Sequence, residues 1–197
     1  AGAYPIVPRA IAGNPMSMRR YDITRLRRRP IITLVTNSGA SSGVEAAPML
    51  RRAACIAAIV DAIESAGYSC EVLAYSNGIR DNTAASSCCR IKEPSHPLDI
   101  GRMAFGLGHP SMHRRFGFAS WCDDKHSKGI GSGLGVPKDC AIVKNIEEGT
   151  YFLPGIPALG HSIFADDART IKQGLTTLIQ HLATQGCPAF PQVSQAA

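Results

Sequence analysis

The stretch Ile31-Ile32-Thr33-Leu34-Val35 is almost wholly apolar and rich in β-branched residues, and it constrains this chain more than any other feature. Such a run reads as a strand buried on both faces, as in a parallel sheet. It gives way to a loop of small residues, Thr36-Asn37-Ser38-Gly39-Ala40-Ser41-Ser42-Gly43. A helix is predicted next, over residues 47–66. Pro48 suits its first turn. Met49, Ala53, Ile56, Val60 and Ile63 recur at steps of four and three, which is one helical face, and Ile59 widens the stripe. Gly67 is placed to cap the end. A second strand is predicted over residues 70–75. Strand, helix, strand in this order implies a right-handed crossover that lays the two strands parallel.

The rest of the chain is read around that unit. Residues 76–87, with Asn77-Gly78, form a polar loop, and 88–93 a third strand ended by Pro94 and Pro97. A short helix over 98–107 turns Leu98, Met103, Ala104 and Leu107 inward, Gly108-His109-Pro110 breaks it, and a second runs over 111–121. Residues 123–139 make a long loop, 140–143 a short apolar strand, and 150–164 a Pro- and Gly-rich connection. The last helix, over 166–185, presents Ala168, Ile171, Leu175, Leu178, Ile179 and Leu182 to the core. Asp166 and Asp167 complement its positive end, and Gly186 closes it. The expected architecture is therefore α/β. It comprises three layers around a mostly parallel, Rossmann-like sheet over residues 31–186, an extended arm over 1–30 and a loose tail over 187–197.

Composition supports one such domain. With 197 residues and 45% hydrophobic content, the chain can bury a real core and does not resemble a disordered segment. No apolar run approaches the roughly 18–20 residues that cross a bilayer, and no basic-then-apolar leader is visible. The seven cysteines show neither a C-x-x-C pair nor regular spacing, and Cys55 and Cys70 fall in apolar segments. A reduced, cytoplasmic protein without a membrane partner is expected. Cys122 and His126, and His109 and His113, are each four apart, as metal ligands on a helix can be. Pro110 interrupts one pair and Gly and Ser surround the other, so no metal and no cofactor is predicted.

Charge is concentrated at one end. Residues 1–30 hold seven arginines (Arg9, Arg19, Arg20, Arg25, Arg27, Arg28 and Arg29) against the single acid Asp22, and residues 31–197 are balanced, so the whole net charge of +6 sits in the arm. Arginine suits phosphate and carboxylate. Tyr21 is the one aromatic beside the cluster, too little for a base-stacking platform.

Strand, Ser/Gly loop, long helix and strand together resemble the opening of a von Willebrand factor A domain, over residues 31–185. A nearer resemblance is to a von Willebrand factor A-like domain of unknown function found in tailed phages. It is carried by Val7-Pro8 through Ala12-Gly13-Asn14-Pro15-Met16, by Arg52-Ala53-Ala54 to Asp61-Ala62-Ile63-Glu64-Ser65-Ala66-Gly67, by Pro97-Leu98-Asp99, and by His109-Pro110 with Arg114-Arg115-Phe116. The resemblance implies a D-x-S-x-S motif after the first strand, whose side chains hold a divalent cation that a partner's carboxylate completes. Here Thr36-Asn37-Ser38-Gly39-Ala40-Ser41 stands in that place, and Lys144-Asn145 where Asp-Gly would follow a later strand. Hydroxyls and amides without a carboxylate bind a hard cation poorly, and Lys144 opposes one. Glu147 and Glu148 are the nearest acids in sequence that could compensate. The site is expected to be degenerate.

Three functions follow. The leading expectation is a non-catalytic protein-interaction module, an adaptor or scaffold of a phage or mobile element. It would act in the host cytoplasm if phage-encoded, and dock an unknown protein partner through Thr36, Asn37, Ser38, Gly39, Ser41, Ser42, Lys144 and Asn145. These residues belong to the loops 36–43 and 144–150, which with 75–87 are expected at the carboxyl ends of parallel strands, where open α/β sheets bind ligands. The first alternative is a nucleic-acid-binding protein using Arg19, Arg20, Arg25, Arg27, Arg28 and Arg29. The second is an enzyme that binds an anion or nucleotide over residues 38–43, with Ser41 or Cys89 as nucleophile and His109 as base. The 38–43 loop lacks the lysine of a P-loop, and Gly129, Gly131, Gly133 and Gly135 lack a preceding strand and a following helix.

Overall fold

The computed structural model describes residues 4–5, 7–13, 18–19, 29–40, 44–80, 83–123, 136–137, 148–154 and 168–191. The first strand of the core, β3 (Ile31–Asn37), and β4 (Ser69–Arg80) pair in parallel from Ile31 opposite Ser69 to Asn37 opposite Tyr75, so the expected crossover is present. Helix α2 (Ala46–Ser65) joins them. Its predicted stripe of Met49, Ala53, Ile56, Ile59, Val60 and Ile63 is buried throughout. Gly67 terminates it with a φ of 94°, a conformation that costs glycine little and other residues more.

The sheet is mixed. Its order is β5-β4-β3-β7, with β5 (Thr83–Lys92) antiparallel to β4 and β7 (Thr150–Leu153) parallel to β3; β6 (Val136–Pro137) adds a two-residue antiparallel pairing to β4. Two expectations are corrected here. Residues 76–80 and 83–87 are not a loop but the two arms of the β4–β5 hairpin, in which Ser76 stands opposite Ser87 and Asn77 opposite Ser86. Cross-strand hydrogen bonds here override low strand propensity. Thr150–Leu153, read as part of a Pro- and Gly-rich connection, is the strand that flanks β3. Residues 140–143 lie outside the described residues.

The core lies on one face of the sheet. Ile32 and Leu34 of β3, Cys70, Val72 and Ala74 of β4, and Leu153 of β7 meet α2, α3 (Ile100–Met103) and α5 (Ala168–Thr184) in one buried cluster. The opposite face carries the buried Val35 together with Thr33, Glu71 and Arg90, where Glu71 accepts from Thr33 Oγ1 at 3.1 Å and pairs with Arg90 at 2.7 Å. A second helical layer on that face is not formed by the described residues.

Helix α3 continues as a π-helical segment, Ala104–Gly108. After His109 a new helix begins at Pro110, passes through a second π-helical segment, Met112–Gly117, and ends as α4 (Phe118–Asp123). Gly108 lets the first segment lie directly on α2, since a Cβ there would sit 2.8 Å from Ala53 Cβ and 3.0 Å from the Leu50 backbone.

At the far edge Gln185 closes β7, donating from Nε2 to the Phe152 carbonyl and accepting from the Phe152 N–H, both at 2.8 Å. Residues 187–190, expected to be loose, pack inward instead. Cys187 is buried, its N–H bonds the Leu182 carbonyl, and Ala189 and Phe190 rest on the core. In the arm, β1 (Tyr4–Pro5) pairs antiparallel with β2 (Met18–Arg19) around α1 (Val7–Ile11), so this part is folded rather than extended.

Candidate functional site

Because β3 and β4 run parallel, Asn37 and Tyr75 end side by side at one rim of the sheet. Three consecutive residues there hold the chain in place with their own side chains. Thr36 faces α2 and is fully buried, and Arg52, buried on the second turn of α2, donates from Nη2 to Thr36 Oγ1 at 2.8 Å. The same nitrogen donates to the carbonyl of Pro154, which follows β7, so one guanidinium joins the carboxyl ends of β3 and β7. Asn37 Oδ1 accepts from the Gly39 N–H at 2.9 Å, an Asx turn that bends the chain off the strand. The Ser38 hydroxyl and N–H both donate to the Tyr75 carbonyl, at 3.0 and 2.7 Å. Arg114 reaches across to the Val44 carbonyl at 2.9 Å and ties the second π-helical segment to the residues just before α2.

A divalent cation does not fit these residues. Thr36 Oγ1 already accepts from a guanidinium, Asn37 Oδ1 from a backbone amide, and Arg52 places a fixed positive charge beside them. A hard cation needs several oxygen ligands and negative charge to offset its dehydration. The Gly39 N–H, which an anion over the loop would need, donates to Asn37 instead.

Ser41, Ser42, Lys144 and Asn145 lie outside the described residues. Thr150 opens β7, and the neighbouring Gly149 carbonyl accepts from the Thr33 N–H. Residues 149–150 therefore stand toward the amino-terminal edge, and the rim at β7 is formed by Pro154 rather than by the segment ending at Thr150.

Beside the rim is a cavity of about 210 Å³ lined by Ser38, Ser76, Cys89, Met112, His113 and Phe116, among others. Ser76 Oγ and His113 Nδ1 share a hydrogen bond of 2.8 Å, and both residues are buried. Burial, with the Arg114 charge behind it, lowers the His113 pKa to about 4, so the ring is neutral near pH 7. Its faces and edges pack against Phe118 and Trp121, at ring separations of 4.9 and 6.1 Å. An imidazole held so far below neutrality is a weak base, and among the described residues Ser76 is its one hydrogen-bond partner, with no orienting group of the triad kind beside the pair.

The sequence paired Cys89 or Ser41 with His109. His109 is exposed and stacks on Phe105, and the imidazole at Cys89's cavity is His113. Nothing in the spacing marks Ser76 and His113, which are 37 residues apart.

Arg19 lies in β2 opposite Tyr4, Arg29 is exposed, and Arg20, Arg25, Arg27 and Arg28 fall outside the described residues. Cys122 is exposed and His126 is outside the described set. Among the described residues no three His, Cys, Asp or Glu side chains gather as metal ligands, and no helix is long and apolar enough to cross a membrane. Cys55, Cys70 and Cys187 are buried free thiols, and burial pushes Cys70 up to about 12.

A family described as a domain of unknown function, DUF7192, matches residues 1–187, and the chain belongs to it. Comparison with curated proteins and with solved structures yields no match.

Proposed function

We propose that this member of DUF7192 is a non-catalytic protein-docking module on a von Willebrand factor A-like frame, with the cation site lost. In this reading it serves as an adaptor of a phage or mobile element and works in the cytoplasm. The partner surface is the rim built by Thr36, Asn37, Ser38 and Gly39, closed at β7 by Pro154. The observation that carries the reading is the bond from Arg52 to Thr36. The guanidinium binds Thr36, a position where the resemblance implies an ion ligand, and the neighbouring polar groups are spent on fixing the backbone. A rim held from within is a preformed surface, which lowers the ordering cost of docking. The parallel crossover supports the frame.

The experiment is site-specific photo-crosslinking in the native host. A photoreactive residue at Glu45, exposed beside the rim, is compared with one at Asp61, exposed toward the other end of α2. The reading predicts a discrete protein adduct from Glu45 and none from Asp61. Equal labelling from both positions, or none from Glu45, contradicts it.

A further inference from the structure

We infer that the two π-helical segments build a stacking platform for single-stranded nucleic acid, a surface centred on Phe105, His109 and Phe116 that meets the proposed docking rim only at the cavity Phe116 shares with Ser38. The first segment presents Phe105 and, at its end, His109; the second presents Phe116. The Phe105 and His109 rings stack with centroids 5.5 Å apart and planes 26° from parallel, and Phe116 closes on Phe105 edge-on at 6.3 Å. Phe105 is 44% exposed and Phe116 61%, and His109 is exposed as well. Three rings from two turns thus share one solvent-facing cluster. Inserted residues of the π type recur at functional sites, and exposed aromatic rings gathered in one cluster mark a candidate binding surface.

The charge around the rings selects the ligand. Between Asp99 and Asp123, the acids that bound this stretch, the chain carries Arg102, Arg114 and Arg115 and no acid. Arg115 adjoins Phe116 and is exposed, and Arg102, one turn before Phe105, is exposed too. Asp99, the acid that precedes the stretch, accepts from the Arg102 N–H as a helix cap. Exposed aromatic rings among cations suit a single strand, since bases stack on rings whatever their sequence and phosphates follow the positive charge. Phe116 also forms a wall of the cavity over Ser76 and His113, so a base on this ring has a recess beside it.

The test uses the full chain and fluorescence anisotropy with an oligothymidylate of about 20 nucleotides, against an abasic strand of equal length and charge. The abasic strand reports phosphate attraction alone, including any from the arginine-rich arm. Wild type is expected to bind oligothymidylate at least about tenfold more tightly than the abasic strand. The double variant Phe105→Ala/Phe116→Ala, which truncates exposed side chains only, is expected to lose that preference while keeping its abasic affinity and its melting temperature. Phe105→Trp/Phe116→Trp should retain it. Equal binding of the two strands by wild type, or an undiminished preference in the alanine variant, overturns the proposal. So does tighter binding of a labelled Glu- and Phe-rich peptide that the alanine variant abolishes, which would assign the surface to an acidic protein segment.

Discussion

The two ends of α2 each engage a buried cation, and the two are used differently. Toward its C-terminal end, Glu64 pairs with Lys92 at 2.6 Å, and the same ammonium donates to the carbonyls of Cys70, Glu93 and His96. This site staples α2, β4 and the end of β5 deep in the fold. Toward the N-terminal end, Arg52 donates to Thr36 Oγ1 and the Pro154 carbonyl. This contact shapes the rim where β3 and β7 end. A compact ammonium ringed by acceptors holds a core together, and a planar guanidinium bridging two strand ends sets a surface. The same physical requirement, that buried charge be hydrogen-bonded, yields a structural element in one place and a candidate functional one in the other.

The difference is sharpest if Lys92 is removed. Lys92→Met leaves Glu64 without its cation and takes one donor from each of the three carbonyls, and breaking a buried pair of this kind costs about 3–5 kcal/mol. Urea unfolding should show that loss, and Glu64→Leu added to Lys92→Met should recover part of it. Next in size is the pH dependence set by His113. The unfolded imidazole takes up a proton near 6.5 and the folded one only near 4. The unfolded state therefore binds more protons between these values, and stability falls as pH drops from about 6.5 to about 4, by roughly 3 kcal/mol in all. Denaturation across that window should show the fall, and His113→Leu should flatten it. Arg52→Met is expected to cost about 1–3 kcal/mol and also to abolish the crosslink from Glu45, whereas Lys92 variants that remain folded should keep it. If Arg52→Met leaves the crosslink intact, the contrast between the two cations fails. The smallest effect is chemical. Cys88, Cys89 and Cys122 should be alkylated in the native protein, with Cys55, Cys70 and Cys187 protected until it unfolds, as peptide mapping would show.

The β3–α2–β4 unit was legible because its signals are local. A β-branched run and a strict 3.6-residue stripe each fix an element without reference to the rest of the chain. The β4–β5 hairpin was hidden because Ser76, Asn77, Gly78, Ser86 and Ser87 have low strand propensity and are held by pairing that the sequence does not display. Thr150–Leu153 was masked by the proline and glycines around it, and missing it placed the β7 rim at the wrong end of the strand. The loop 36–40 was correctly located as a rim element, but its key partner Arg52 was read only as part of the α2 resemblance. Ser76 and His113 meet through tertiary packing alone. Phe105 and His109 had helical spacing, yet the surface they share with Phe116 depends on π turns and on a helix that starts at Pro110, which the sequence suggested only as a breaker.

The claim beneath the rest is that the rim is organised by Arg52 and not by an ion. Thermal unfolding of the full chain with magnesium or manganese, over a range reaching millimolar, tests it most directly. The melting temperature should be the same with and without the metal, for wild type and for Ser38→Ala/Ser41→Ala alike. A saturable rise in wild type that disappears in the double variant would contradict the account.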